Sequence, residues 1–131
     1  MRSVQFRSAL SQVRGLGSAK EGTKHFWMQR VTAVALVPLS LWFAASLAVM
    51  TGAEYEAAYN WLRSPIVGVL MLGMVVALFY HAYLGLRIVV EDYVHGEGLK
   101  VASLVALKLI LFALGVGAML AVLKVFLGAP A

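Results

Sequence analysis

The sequence contains no cysteine. Disulfide frameworks, thiolate-held iron–sulfur clusters and thiol chemistry are therefore excluded from this chain. Charge is nearly as scarce. Of 131 residues, 13% are charged and only six are acidic, against 62% that are hydrophobic. A water-soluble domain of this length needs far more polar surface, so the composition indicates a membrane protein, and the length indicates one domain. Acid is scarcest near the N-terminus. Arg2, Arg7, Arg14, Lys20, Lys24 and Arg30 precede the first apolar run, opposed there by Glu21 alone. A basic stretch serving a nucleic acid needs a soluble platform, and none follows. No nucleic-acid partner is expected, and the stretch reads as a positive-inside signal.

What is present is three apolar runs, each long enough to cross a bilayer, which takes about 20 helical residues. They cover about 31–51, 64–87 and 101–127. The expected fold is an all-α membrane protein with three transmembrane helices: an N-terminal tail at 1–24 and an anchor domain at 25–131. Trp27 stands before the first span as an interfacial anchor. Pro38 lies inside that span, where it removes a backbone bond and calls for a kink or a packed neighbour. Arg63 and Arg87 bound the second span. Charge bias places the N-terminus and the second loop on the inner side, cytoplasmic in a bacterial inner membrane, with the C-terminus periplasmic. The arginine- and serine-rich start, free of acid over 1–19, also fits an organelle transit peptide. A retained cytoplasmic tail is expected instead, with Phe6, Leu10 and Val13 at helical spacing for docking on a membrane or a partner.

Inside the second span stands His81, and an ionisable residue at membrane depth is a functional candidate by default. Gly73, Ala77, His81 and Gly85 follow one another at four-residue spacing. Small residues let another helix, or a flat macrocycle with His81 as axial ligand, approach the backbone. Ordinary packing, with His81 hydrogen-bonded across a helix interface, satisfies the same pattern. His25 and His95 fall in interfacial segments, so a second axial histidine would come from another polypeptide. Ala113, Gly117 and Ala121 repeat the small pattern in the third span. Lys108 in that span reads either as an ion-pathway charge or as a lysine that snorkels to the headgroups. A small transporter subunit using Lys108 and His81 would need a continuous polar line through a span, and spans one and three show none.

Asp92 and Tyr93 follow His81 by about 16 Å of helical rise. A tyrosine hydroxyl can donate to a quinone carbonyl, and a neighbouring carboxylate can position it or take part in proton transfer. An interfacial tyrosine beside a solvated acid is the plainer alternative. His25 and Arg30 flank Trp27 at the same inner edge. Arg30 suits a carboxylate or a propionate by its planar fork, or is simply a flanking charge.

Two blocks, HFWMQRVTAVALVPLSLW from His25 to Trp42 and HAYLGLRIVVEDYVH from His81 to His95, resemble the hydrophobic membrane anchor subunit of succinate dehydrogenase. The likeness runs from about residue 24 to 127. It implies half of a heterodimeric helical bundle: a smaller anchor paired with a larger anchor (cytochrome b) subunit, holding a flavoprotein and an iron–sulfur subunit against the membrane. It implies haem b shared between the anchors, with His81 as one axial ligand to the iron. It also implies ubiquinone reduction with Tyr93 on the quinone carbonyl and Asp92 in support. Arg30 would lie near haem propionates or the quinone pocket, and His25, less firmly placed in the family, nearby. On this reading the chain is a subunit of an enzyme, the succinate-oxidising centre lying elsewhere. A haem-free structural anchor and a fumarate reductase anchor are the alternatives, and a mitochondrial inner membrane is the alternative location.

Overall fold

A computed structural model describes residues 19–128, with side chains from residue 22 onward. The spacing of Phe6, Leu10 and Val13 lies outside the described residues. Four helices follow in order: α1 (Ala19–Val49), α2 (Tyr55–Leu62), α3 (Pro65–Tyr93) and α4 (Glu97–Phe126). Three of them, α1, α3 and α4, are long and apolar enough to cross a membrane. The chain is an all-α, multi-pass membrane protein.

The long helices lie as a row with α3 in the middle. Both α1 and α4 pack along α3, and neither touches the other. A row has two open faces, so few side chains are enclosed: Val67, Leu84 and Thr32 are buried, as are Gly68 and Gly115. Val34 is 72% exposed and Phe112 70%. In lipid such exposure carries no hydrophobic penalty, and close packing of small residues holds helices together instead. Gly68 on α3 faces the Phe126 ring, and a Cβ there would stand 2.6 Å from it. Gly115 on α4 faces Phe79, with 3.3 Å to the nearest ring atom. Ala113, Gly117 and Ala121, the small residues singled out in the sequence, are exposed on α4. Their pattern marks a face this chain leaves open, and the contact to α3 is made by Gly115.

The helices overrun the apolar stretches where the start of α1, the end of α3 and the start of α4 lie. The helix α1 begins at Ala19, well before residue 31, so His25 and Arg30 ride on the spanning helix itself. Six residues beyond Arg87, α3 ends at Tyr93. Arg87 does not terminate it because its Nε meets Glu91 Oε1 one turn on, at 2.7 Å, a spacing that supports helix. After a three-residue link α4 starts at Glu97, whose carboxylate favours a helix N-terminus. Lys100 Nζ reaches back to donate to the Glu91 carbonyl at 2.8 Å and ties the link closed. Pro38 sits in α1 without interrupting it.

At the opposite end the sequence reading expected only a loop. The structure has α2 there, after a turn where Gly52 takes φ +83°. Trp61 of α2 stacks on Trp42 of α1 with ring centroids 5.9 Å apart, at the height where aromatic rings favour the headgroup region.

Candidate functional site

Antiparallel packing brings the first turns of α1 against the last turns of α3. Between them runs a groove of about 710 Å³, walled by His25, Phe26, Gln29, Arg30 and Ala33 of α1 and by His81, Leu84, Arg87, Ile88 and Glu91 of α3. On each helix these positions recur every three or four residues, which is one helical face. Gly85 faces Gln29 of α1: a Cβ there would lie 3.5 Å from the Gln29 amide nitrogen, an ordinary contact.

The state of His81 follows from its partners. Thr32 Oγ1 lies 2.8 Å from the Met28 carbonyl and 3.1 Å from that of Gln29, and 2.9 Å from His81 Nδ1. The hydroxyl has one proton to give, and the carbonyls of its own helix take it. Its lone pair then accepts the Nδ1–H of His81. The network orients the His81 ring with Nδ1 on Thr32 and Nε2 toward the groove. Near Nε2 stands the Gln29 amide nitrogen at 3.5 Å, the outer limit of a hydrogen bond. The Gln29 Oε1 is buried without a partner. Such an orphan costs free energy in a closed core, so the groove around His81 is incomplete in this chain alone.

Nearer the start of α1 and the end of α3 is a second polar cluster. Arg87 Nη1 donates to His25 Nε2 at 3.1 Å while its Nε donates to Glu91. An accepting Nε2 makes His25 neutral. The Arg30 guanidinium lies over the Phe26 ring, 4.4 Å from its centroid, and stays exposed at the groove.

Of the residues singled out in the sequence, His25, Arg30 and His81 come together on this groove. Asp92 and Tyr93 do not. Both are exposed at the end of α3, Tyr93 at 78%. Four polar residues at this site were missed: Gln29, Arg87 and Glu91, which wall the groove, and Thr32, which bonds His81 without lining it. Gln29 and Thr32 are polar side chains three apart within an apolar helix, a spacing that places them on one face, and that was the available signal. Arg87 and Glu91 were read as loop charges because the apolar run stops before them.

The fold and the groove define a class: a helical membrane protein with a histidine of its central span, His81, hydrogen-bonded to a neighbouring span. A family model for the succinate dehydrogenase/fumarate reductase transmembrane subunit matches residues 5–115. The succinate dehydrogenase hydrophobic membrane anchor subunit of Rickettsia bellii is 33% identical over 107 residues, 82% of this chain and 86% of that protein. The protein of the same description from Paracoccus denitrificans is 34% identical over 102 residues, 78% and 77% of the two chains. The succinate dehydrogenase membrane anchor subunit of Reclinomonas americana is 28% identical over 94 residues, 70% and 78%. The chain belongs to the succinate dehydrogenase/fumarate reductase transmembrane subunit family.

Proposed function

We propose that this chain is the smaller anchor of a succinate:quinone oxidoreductase, sharing a b-type haem with a larger cytochrome b anchor and forming part of the ubiquinone site. The observation that carries the reading is His81 itself. Thr32 holds its Nδ1–H, which orients the ring and leaves the Nε2 lone pair in a groove open to a partner. A hydrogen-bonded second nitrogen is the usual support of a metal-ligating imidazole.

The donor set fits a haem better than a bare ion. Among the described residues there is no group of three metal-ligating side chains, whereas a macrocycle brings its own equatorial nitrogens and asks the chain for one axial nitrogen. Haem supplies reversible one-electron storage when bound. His81 would be the ligand from this chain, and the Gln29 amide beside its Nε2 would have to give way to the iron. Arg30, free at the rim, offers its planar fork to a propionate carboxylate. His25 and Arg87 bring further donors to the same edge.

Quinone reduction needs a hydrogen-bond donor at the carbonyl and a proton route from the aqueous side. Tyr93 offers the hydroxyl and Asp92 the carboxylate, both at the inner end of α3 and both uncovered in this chain. The larger anchor and the iron–sulfur subunit complete that site, and the flavoprotein subunit oxidises succinate. Lys24, Arg30, Arg87 and Lys100 gather at the inner end, which supports a cytoplasmic N-terminus and periplasmic C-terminus in a bacterial inner membrane.

The test is a reduced-minus-oxidised visible spectrum of the purified complex beside its His81→Ala variant. A b-type signal that vanishes or changes spin state in the variant is the expected result. A second reading, a haem-free anchor, rests on the bonds of His81 to Thr32 and Gln29, which a purely packing histidine would also make. A wild-type complex without a haem signal establishes that second reading. The fumarate reductase direction uses the same residues, and the ratio of succinate oxidation to fumarate reduction separates the two.

A further inference from the structure

The opposite flank of α3 carries a second groove, of about 300 Å³, against α4. It shares no residue with the groove at His81. Its walls are apolar except at one end, where Lys108 of α4 and Tyr83 of α3 stand. Lys108 is exposed, and among the described residues it makes no hydrogen bond or ion pair.

The order of side chains along the groove decides what suits it. Lys108 lies about 16 Å along α4 from Glu97, and Tyr83 about 15 Å along α3 from Tyr93. They are therefore level, both nearer the inner end. Val75 and Met119 close the other end, deeper in the span. A helix of 29 residues, the length of α3, overhangs a hydrocarbon core of about 30 Å by roughly 7 Å at each end. The Lys108 Cα then lies only roughly 9 Å inside the hydrocarbon boundary. Helical side chains lean toward the helix N-terminus, which for α4 is the inner end, and the lysine stem covers most of that depth.

We infer that this groove is a site for an anionic phospholipid of the inner leaflet, with its phosphate on Lys108 and one acyl chain lying between Phe79 and Phe112 toward Met119. Charge complementarity selects the occupant. A cation without an acceptor among the described residues reaches toward the phosphates along its stem, and an aliphatic trough continues from it in the direction an acyl chain takes. A sister-subunit helix would bury the Lys108 charge unpaired, which is costly in lipid. A quinone carries no charge to meet it. The inference does not depend on haem or on quinone chemistry.

The experiment reconstitutes the whole purified complex in phosphatidylcholine nanodiscs doped with phosphatidylglycerol, and counts phosphatidylglycerol retained after detergent extraction by native mass spectrometry. Wild type is expected to keep it over phosphatidylcholine. Lys108→Leu is expected to retain about fivefold less, the scale of one lysine near an anionic surface, and Lys108→Arg to restore retention. Equal retention in wild type and Lys108→Leu overturns the inference, as does retention of quinone at the groove in place of lipid. Should Lys108→Leu fail to assemble, phosphatidylglycerol with a photoreactive acyl chain is applied to wild type. Labelling at Phe79, Phe112 or Met119 upholds the site. Labelling confined to other surfaces, or crosslinks from these residues to another subunit, sinks it.

Discussion

The two flanks of α3 are held by different physics. Toward α1 the contact is polar: Thr32 to His81, Gln29 near Nε2, and His25 to Arg87 with Glu91 behind. Toward α4 it is steric within the span, Phe126 over Gly68 and Phe79 over Gly115, with one polar tie, Lys100 to the Glu91 carbonyl, at the link. Hydrogen bonds in a span fix one rotation of a helix and one orientation of a ring. Glycine–aromatic contacts fix distance and leave no chemistry behind. The chain thus places its functional groups on one side of its central helix and its mechanical fit on the other, and each side can be perturbed separately.

The largest effect is expected on the steric side. Gly68→Ala places a methyl 2.6 Å from Phe126, and such overpacking costs about 1–3 kcal/mol. Thermal denaturation of the detergent-solubilised complex should show the loss. Adding Phe126→Ala should recover part of it, because the two residues are in contact and their effects do not add. The haem spectrum of Gly68→Ala should match wild type. An unchanged midpoint would mean that the Phe126 ring swings aside freely and that this flank is not fixed by shape.

The same asymmetry explains what could be read in the sequence. Span count and helical class were legible because uninterrupted apolar length is a one-dimensional property, and His81 was conspicuous as a histidine within such a run. The pairing of His81 with Thr32 was not legible, since it depends on which turn of α1 lies beside which turn of α3. Helix ends were misplaced wherever hydropathy stood in for hydrogen bonding. The second span was ended at Arg87, yet the Arg87–Glu91 pair carries α3 on to Tyr93. The helix α2 escaped notice because eight residues bearing two tyrosines and a tryptophan resemble a polar loop until Trp61 meets Trp42. Gly115 escaped because the repeat at Ala113 and Gly117 lay on the neighbouring face.

On the polar side Thr32→Val sharpens the contrast. Valine keeps the shape and removes the acceptor for His81 Nδ1–H. Interhelical hydrogen bonds in membranes are worth about 1 kcal/mol or less, so the complex should remain assembled. On the haem reading proposed above, the consequence should be seen in the spectrum, because the imidazole loses the partner that orients it. The expected outcome is a shifted haem midpoint potential or a partial change of spin state, with Thr32→Ser close to wild type. A Thr32→Val spectrum and potential indistinguishable from wild type would remove Thr32 from the positioning of His81.

Smallest of all should be Glu91→Gln. The Arg87–Glu91 pair is an i,i+4 contact with side chains 33% and 39% exposed, and pairs of that kind contribute about 0.3–0.5 kcal/mol. Stability of the complex should hardly move. The guanidinium, however, is shared. Released from the carboxylate, Arg87 keeps its bond to His25 Nε2 and gains freedom to reach into the groove, where it adds positive charge near His81. A nearby cation disfavours the oxidised, more positive form of a haem iron, so the midpoint potential in Glu91→Gln should rise. Arg87→Gln in the same background should return it toward wild type. A fall in potential, or a rise that survives Arg87→Gln, would show that Glu91 acts on the groove by a route other than the arginine it holds.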